Sequence, residues 1–162
     1  MDNYQLAEQR GRTKTSKRFK NLQIAFTTDK MDKVDFYATG VTFNHSGDTY
    51  VGEIKNYDDP NYPRSFKKFK NYMIDYWKLS YLITIAKAEG RTPLLIVYFD
   101  DYTIVWDISN IDIDSRRKWD WVNKDGQDYG KKEYALMTYL YESEILWKET
   151  RQDTELRMKL LS

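Results

Sequence analysis

The chain has 162 residues, 41% of them hydrophobic and 31% charged, with a net charge of +1. This is an ordinary globular composition, long enough for one sizeable core and short for two. The lack of cysteine excludes disulfides and thiolate metal sites, and a lone histidine, His45, leaves carboxylates as the metal ligands a site here would use.

Residues 3 to 12 read as a short helix that weakens at Gly11. The following segment, from Arg10 to Lys20, holds six cations (Arg10, Arg12, Lys14, Lys17, Arg18 and Lys20) and no acid. Further cations cluster at Lys67, Lys68 and Lys70 and at Arg116 to Lys118, while acids gather elsewhere, a separation that suits a polyanion lying along one face. The polar N-terminus lacks the apolar core of a signal peptide, and no apolar run approaches the ~20 residues a membrane helix needs. A soluble, intracellular protein is the expectation.

Residues 19 to 28 fit either a helix tail or a strand. From Lys33 to Thr39 polar and apolar residues alternate, with Val34, Phe36 and Ala38 on one face and Asp35 and Tyr37 on the other. A turn signal at residues 44–48 leads to a second strand over 49–55, so an antiparallel hairpin is expected. Pro60 and Pro63 place a loop over 56–64. Ser65 is positioned to cap a long helix over about 65–88, closed by Gly90 and Pro93. The continuous apolar run from Leu94 to Phe99 has the character of a central strand, and residues 102–108 return beside it. A hairpin follows, with Lys124-Asp125-Gly126-Gln127 at its turn. Its aromatic residues Trp119, Trp121 and Tyr129 suggest core packing, a dimer surface or a base-stacking platform. A helix over 142–161, with Ile145, Leu146 and Leu156 as its apolar side, ends the chain.

Ionisable groups at strand spacing mark one place. Alternation turns Val51, Glu53 and Lys55 to one face of their strand, and Asp35 lies on the preceding strand of the same hairpin. With the turn centred near Ser46, simple pairing carries Asp35 past Lys55, so a twist or bulge is needed to bring it to Glu53. Two carboxylates beside a lysine are what phosphodiester hydrolysis uses. The acids hold Mg²⁺, and the ammonium meets the developing negative charge.

Asp35, seventeen intervening residues and then Glu53-Ile54-Lys55 resemble the D…(D/E)xK signature of the PD-(D/E)xK, restriction-endonuclease-like nuclease superfamily. The resemblance spans about residues 3–108. It implies an α/β core of a helix, an antiparallel meander, a long helix and paired strands, within one domain over 1–162 whose residues 109–162 add a hairpin and a helix. Val34 stands where the family motif often has proline. The resemblance further implies a Mg²⁺-dependent deoxyribonuclease, with Mn²⁺ as a substitute and Asp35, Glu53 and Glu8 as metal ligands. Lys55 completes the catalytic set, and Lys78 is the position where relatives keep a polar group facing the site.

With Lys78, the basic residues Arg10, Arg12, Lys14, Lys17 and Arg18 are the candidate DNA contacts. They reach phosphate rather than base, which points to branched or duplex DNA recognised by structure or ends. A homodimer is expected because two strands need two sites. The alternatives are an inactive nucleic-acid-binding protein of the same fold and a phage or plasmid accessory interaction module.

Overall fold

The computed structural model describes residues 3–28, 33–42, 45–58, 60, 63–68, 71–123 and 132–161. The expected turn at 124–127, Tyr129, Phe69 and Lys70 lie outside these, as do residues 43 and 44 between the first two hairpin strands.

The fold is mixed α/β. Helix α1 (Asn3–Arg18) precedes strands β1 (Leu22–Phe26), β2 (Phe36–Thr42) and β3 (His45–Asn56). Strand β4 (Asn71–Asp75) runs into helix α2 (Tyr76–Glu89), followed by β5 (Thr92–Tyr98) and β6 (Tyr102–Asp107). Strands β7 (Lys118–Asn123), β8 (Lys132–Tyr141) and β9 (Trp147–Thr150) and helix α3 (Arg151–Leu161) complete it. Six strands form one sheet in the order β1-β2-β3-β5-β6-β9, and three form a second in the order β4-β8-β7. Among the described residues only β3 and β5 pair in parallel, with Glu53 level with Leu95. That is why a helical crossover separates them.

The central sheet is covered on both faces. On one face Phe19, Leu22, Phe36, Tyr50, Ile54, Ile96 and Tyr98 pack together beneath α1. On the other, Val51, Leu95, Val97 and Trp106 meet Leu79 and Leu82 of α2. Burial on both sides explains why β5 reads as an unbroken apolar run. Among the described residues no helix is long and apolar enough to cross a membrane.

Several boundaries differ from the expected ones. Helix α1 passes through Gly11 to Arg18 because the glycine is where the helix touches the sheet. A Cβ there would lie 3.0 Å from Ile54 Cγ2 and 3.2 Å from Asn56 Cβ. A side chain there would press on both residues, so glycine suits this close packing of helix on sheet. The helix expected over 65–88 begins at Tyr76. Its first part is β4, whose Tyr72 and Ile74 alternate with less buried neighbours, and β8 supplies the partner strand. Asp75 caps α2, its Oδ1 accepting from the backbone N–H of Trp77 at 2.8 Å and of Lys78 at 3.2 Å. Gly90 ends α2 in the left-handed conformation, φ 65°. Ser65 caps no long helix: its hydroxyl donates to Asp101 at 2.6 Å, and Asp101 also accepts from Phe66 N–H at the head of a short 3₁₀ turn.

Val34 does not share a face with Phe36 and Ala38. It precedes β2 and joins the core under α2, while the other two lie under α1. The helix expected over 142–161 starts at Arg151. Before it, β9 pairs with β6 and closes the sheet's outer edge, with Trp147 edge-on to Phe19 at 5.6 Å. Leu156, expected on an apolar side, is exposed in α3.

Candidate active site

The register of β2 against β3 builds the site. Phe36 pairs with Gly52 and Tyr37 with Val51, so one step further brings Asp35 level with Glu53. Strand β3 begins at His45, earlier than a turn centred on Ser46 allows, and the gap expected between Asp35 and Glu53 is thereby removed without a bulge near the acids. Gly52 is needed for this register because the Phe36 ring lies over it. A Cβ on Gly52 would stand 2.1 Å from Phe36 Cζ.

Asp35 is held on every side. Its N–H donates to Gly52 O at 2.8 Å, and its carbonyl accepts from Thr27 N–H at 2.9 Å. Its Oδ2 accepts the Ile54 N–H at 2.7 Å. The carboxylate thus takes over as ladder partner where β2 stops, a charge-assisted bond worth roughly 1.5–3 kcal/mol. Its Oδ1 lies 3.6 Å from Arg12 Nη2, and the same guanidinium nitrogen lies 3.7 Å from Glu8 one helical turn earlier. Arg12 also donates to Thr27 O at 2.6 Å. Glu8 therefore connects to Asp35 through Arg12.

Glu53 is the buried member, only 6% exposed. Its Oε1 faces Lys78 Nζ at 3.3 Å and Lys55 Nζ at 3.8 Å. Burial, with the Asp35 carboxylate second, pushes its pKa up, and the two lysines pull the other way without overcoming them. A carboxylate so placed is costly unless cations attend it. Lys78 is itself held against a bias: it sits in the first turn of α2, where the helix dipole disfavours a cation by about 0.3–1 kcal/mol.

The two acids suit a hard divalent cation. Their mutual repulsion and Glu53's burial are what such a cation relieves, and Mg²⁺ is characteristically bound by one or two carboxylates, with waters and substrate phosphate completing its shell. Among the described residues no group of three or more metal-ligating side chains comes together. Asp35 and Glu53 are the acids that would hold such an ion, and the Glu8 carboxylate lies against Arg12 instead.

The basic segment turns partly inward. Lys14 Nζ donates to Asn56 Oδ1 at 2.8 Å and pairs with Asp58 at 3.1 Å. Arg18 donates to Thr103 Oγ1 at 2.8 Å. Arg10 and Lys17 are exposed on α1. Arg12, a candidate phosphate contact by its charge, stands between Glu8 and Asp35. The i,i+4 spacing of Glu8 and Arg12 was the available signal.

No protein-family model and no curated protein matches the chain. Among solved structures it is similar to Hjc, a Holliday junction resolvase of the archaeal hyperthermophile Archaeoglobus fulgidus. The TM-score is 0.46 at 11% identity, covering 82% of this chain and 88% of the resolvase.

Proposed function

We propose that the chain is a metal-dependent nuclease that hydrolyses phosphodiester bonds of DNA. One observation carries the reading: a buried glutamate, Glu53, is placed level with Asp35 and faced by the ammonium groups of Lys55 and Lys78. Asp35 and Glu53 would hold Mg²⁺ or Mn²⁺. Such an ion, when bound, polarises a phosphoryl oxygen and lowers the pKa of a bound water.

The chain's own groups account for the rest. Lys55 supports the negative charge that develops on the phosphate as water attacks and the ester oxygen leaves. Lys78 favours the ionised form of Glu53. Arg12 and the Ile54 N–H fix the two oxygens of Asp35, with Glu8 steadying Arg12. Arg10 and Lys17 on the outer surface of α1 offer phosphate contacts that carry no base information. This supports structure- or end-directed recognition of branched or duplex DNA by an intracellular enzyme. The chain acts as one domain over 1–162, and cutting both strands calls for a homodimer.

The test is incubation with branched, single-stranded and duplex DNA in Mg²⁺ or Mn²⁺, beside a Glu53→Ala control. The expected result is cleavage by the wild type alone. Cleavage that survives the substitution removes the proposed site, and binding without cleavage in either metal favours an inactive binding protein.

A further inference from the structure

The second sheet carries a feature the cleavage site does not use. Met137 of β8 is level both with Asp75, the last residue of β4, and with Lys118, the first of β7. Beyond it, five further residue pairs of β7 and β8 have no third strand beside them among the described residues. They form a two-stranded arm roughly 17 Å long at ~3.4 Å per residue. The arm leaves the body where β4 becomes α2, three residues before Lys78. Its base thus lies one helical turn from Lys78, whose ammonium reaches Glu53.

Its two faces differ. Trp121 is paired with Tyr134 and Trp119 with Leu136, so alternation puts all four on one face. The three rings form a continuous row, with Trp119 stacked on Tyr134 at 5.5 Å and Trp121 tilted against it at 5.2 Å. Each ring-bearing residue is more than half exposed: Trp119 54%, Trp121 64% and Tyr134 56%. The charge sorts by face as well. The described acids of the two strands, Asp120 and Glu133, alternate onto the opposite face, and Lys132 shares the face of the rings. At the base of the arm Arg117 lies over the Tyr76 ring, 5.8 Å away.

An aromatic row flanked by cations and, among the described residues, free of acid matches unpaired nucleobases on an anionic backbone. A second copy of the chain is a poorer match. Three half-exposed rings offer roughly 400 Å², against about 800 Å² per partner in a standard stable interface. We propose that this arm is a stacking platform for the unpaired bases of a single-stranded branch, held beside the point of cleavage. The inference deepens the nuclease reading and rests on it. It assigns the substrate class: DNA with a single-stranded segment next to a duplex.

The experiment measures binding of a flapped duplex and of a blunt duplex of equal length, in Ca²⁺ to prevent turnover, by quenching of tryptophan emission and by anisotropy of labelled DNA. The wild type is compared with Trp119→Ala/Trp121→Ala/Tyr134→Ala and, should that variant fold poorly, with the exposed single change Tyr134→Ala. We expect flapped DNA to quench the arm's emission and the flap-over-duplex preference to fall at least tenfold in the triple variant, as stacking energies of about 1–3 kcal/mol per base require. A preference unchanged in both variants overturns the proposal. So does a wild-type dimer that becomes monomeric in the variants, since the face would then be an interface between copies. A wild type that stacks flapped DNA but cuts nothing in Mg²⁺ or Mn²⁺ overturns the nuclease reading and leaves the arm as a binding element. Normal cleavage with an intact flap preference in the variants removes the arm alone.

Discussion

The ammonium of Lys78 stands 3.3 Å from Oε1 of Glu53, nearer than Lys55 at 3.8 Å. Two lysines from different elements thus converge on one buried carboxylate. Lys55 comes from the same strand as Glu53 and Lys78 from the helix packed over it.

The two lysines should separate kinetically. Lys55→Ala is expected to lower kcat by about 10²–10³-fold, the usual cost of removing a preorganised partner of transition-state charge. Lys78→Met acts through Glu53 and should cost roughly 10–100-fold in metal affinity or activity. It should also move the acidic limb of the pH–rate profile to higher pH, because one of the cations that pulls Glu53 down is gone. A Lys78 variant with an unmoved limb would show that this lysine only covers the surface.

Glu53 also makes a stability prediction. Its folded pKa lies above its unfolded value, so the native state binds the proton more tightly. Wild-type stability should therefore fall as pH rises from about 4.5 through the raised value. Glu53→Gln has no such titration. Its stability relative to wild type should increase over that window, and the difference should vanish near the ordinary glutamate range. Urea titrations across pH 4.5 to 8 test this, and a constant difference would contradict it.

Metal binding should register without any substrate. An ion at a hundred times its Kd stabilises the native state by about 2.7 kcal/mol, or several °C in a chain of this length. Mn²⁺ or Mg²⁺ should raise the wild-type Tm by that much. Asp35→Asn and Glu53→Gln should each abolish most of the rise. Differential scanning fluorimetry with and without chelator measures it.

Gly52→Ala tests the register that aligns the acids. The added Cβ would fall 2.1 Å from Phe36 Cζ and 2.3 Å from Cε1. Phe36 is fully buried and has nowhere to turn. We expect a loss of roughly 1–3 kcal/mol or more, as for overpacking elsewhere, together with weakened metal-dependent stabilisation. Full stability with intact metal response would mean that the Phe36–Gly52 contact is dispensable.

What could be read from the residues follows from how local each feature is. Phe36 to Thr39 and Tyr50 to Lys55 declare themselves as strands because alternation is a nearest-neighbour property. The run at Leu94 declares a strand buried on both faces, and Gly90 declares a helix end. The acids at 35 and 53 and the lysine at 55 were legible for the same reason, since ionisable groups in apolar strands are costly without a role. The span 71–75 was misread because Phe69, Tyr72, Met73 and Trp77 recur at helical spacing, while the alternation of Tyr72 and Ile74 is only two residues long. Its partner lies some 65 residues away, at 137–141. Trp147 to Thr150 was misread likewise, being a strand only by virtue of β6.

The sequence by itself determined the two carboxylates, the neighbouring lysine and the strand that bears Glu53 and Lys55, since spacing along an extended chain sets which side chains share a face. Tertiary structure alone decided that Asp35 comes level with Glu53, that Lys78 and Arg12 arrive from two helices on opposite faces of the sheet, and that the rings of β7 and β8 are left outside the core. Each of these depends on register and packing between segments far apart in the chain, and such contacts are chosen by the total burial they achieve, which no local pattern encodes.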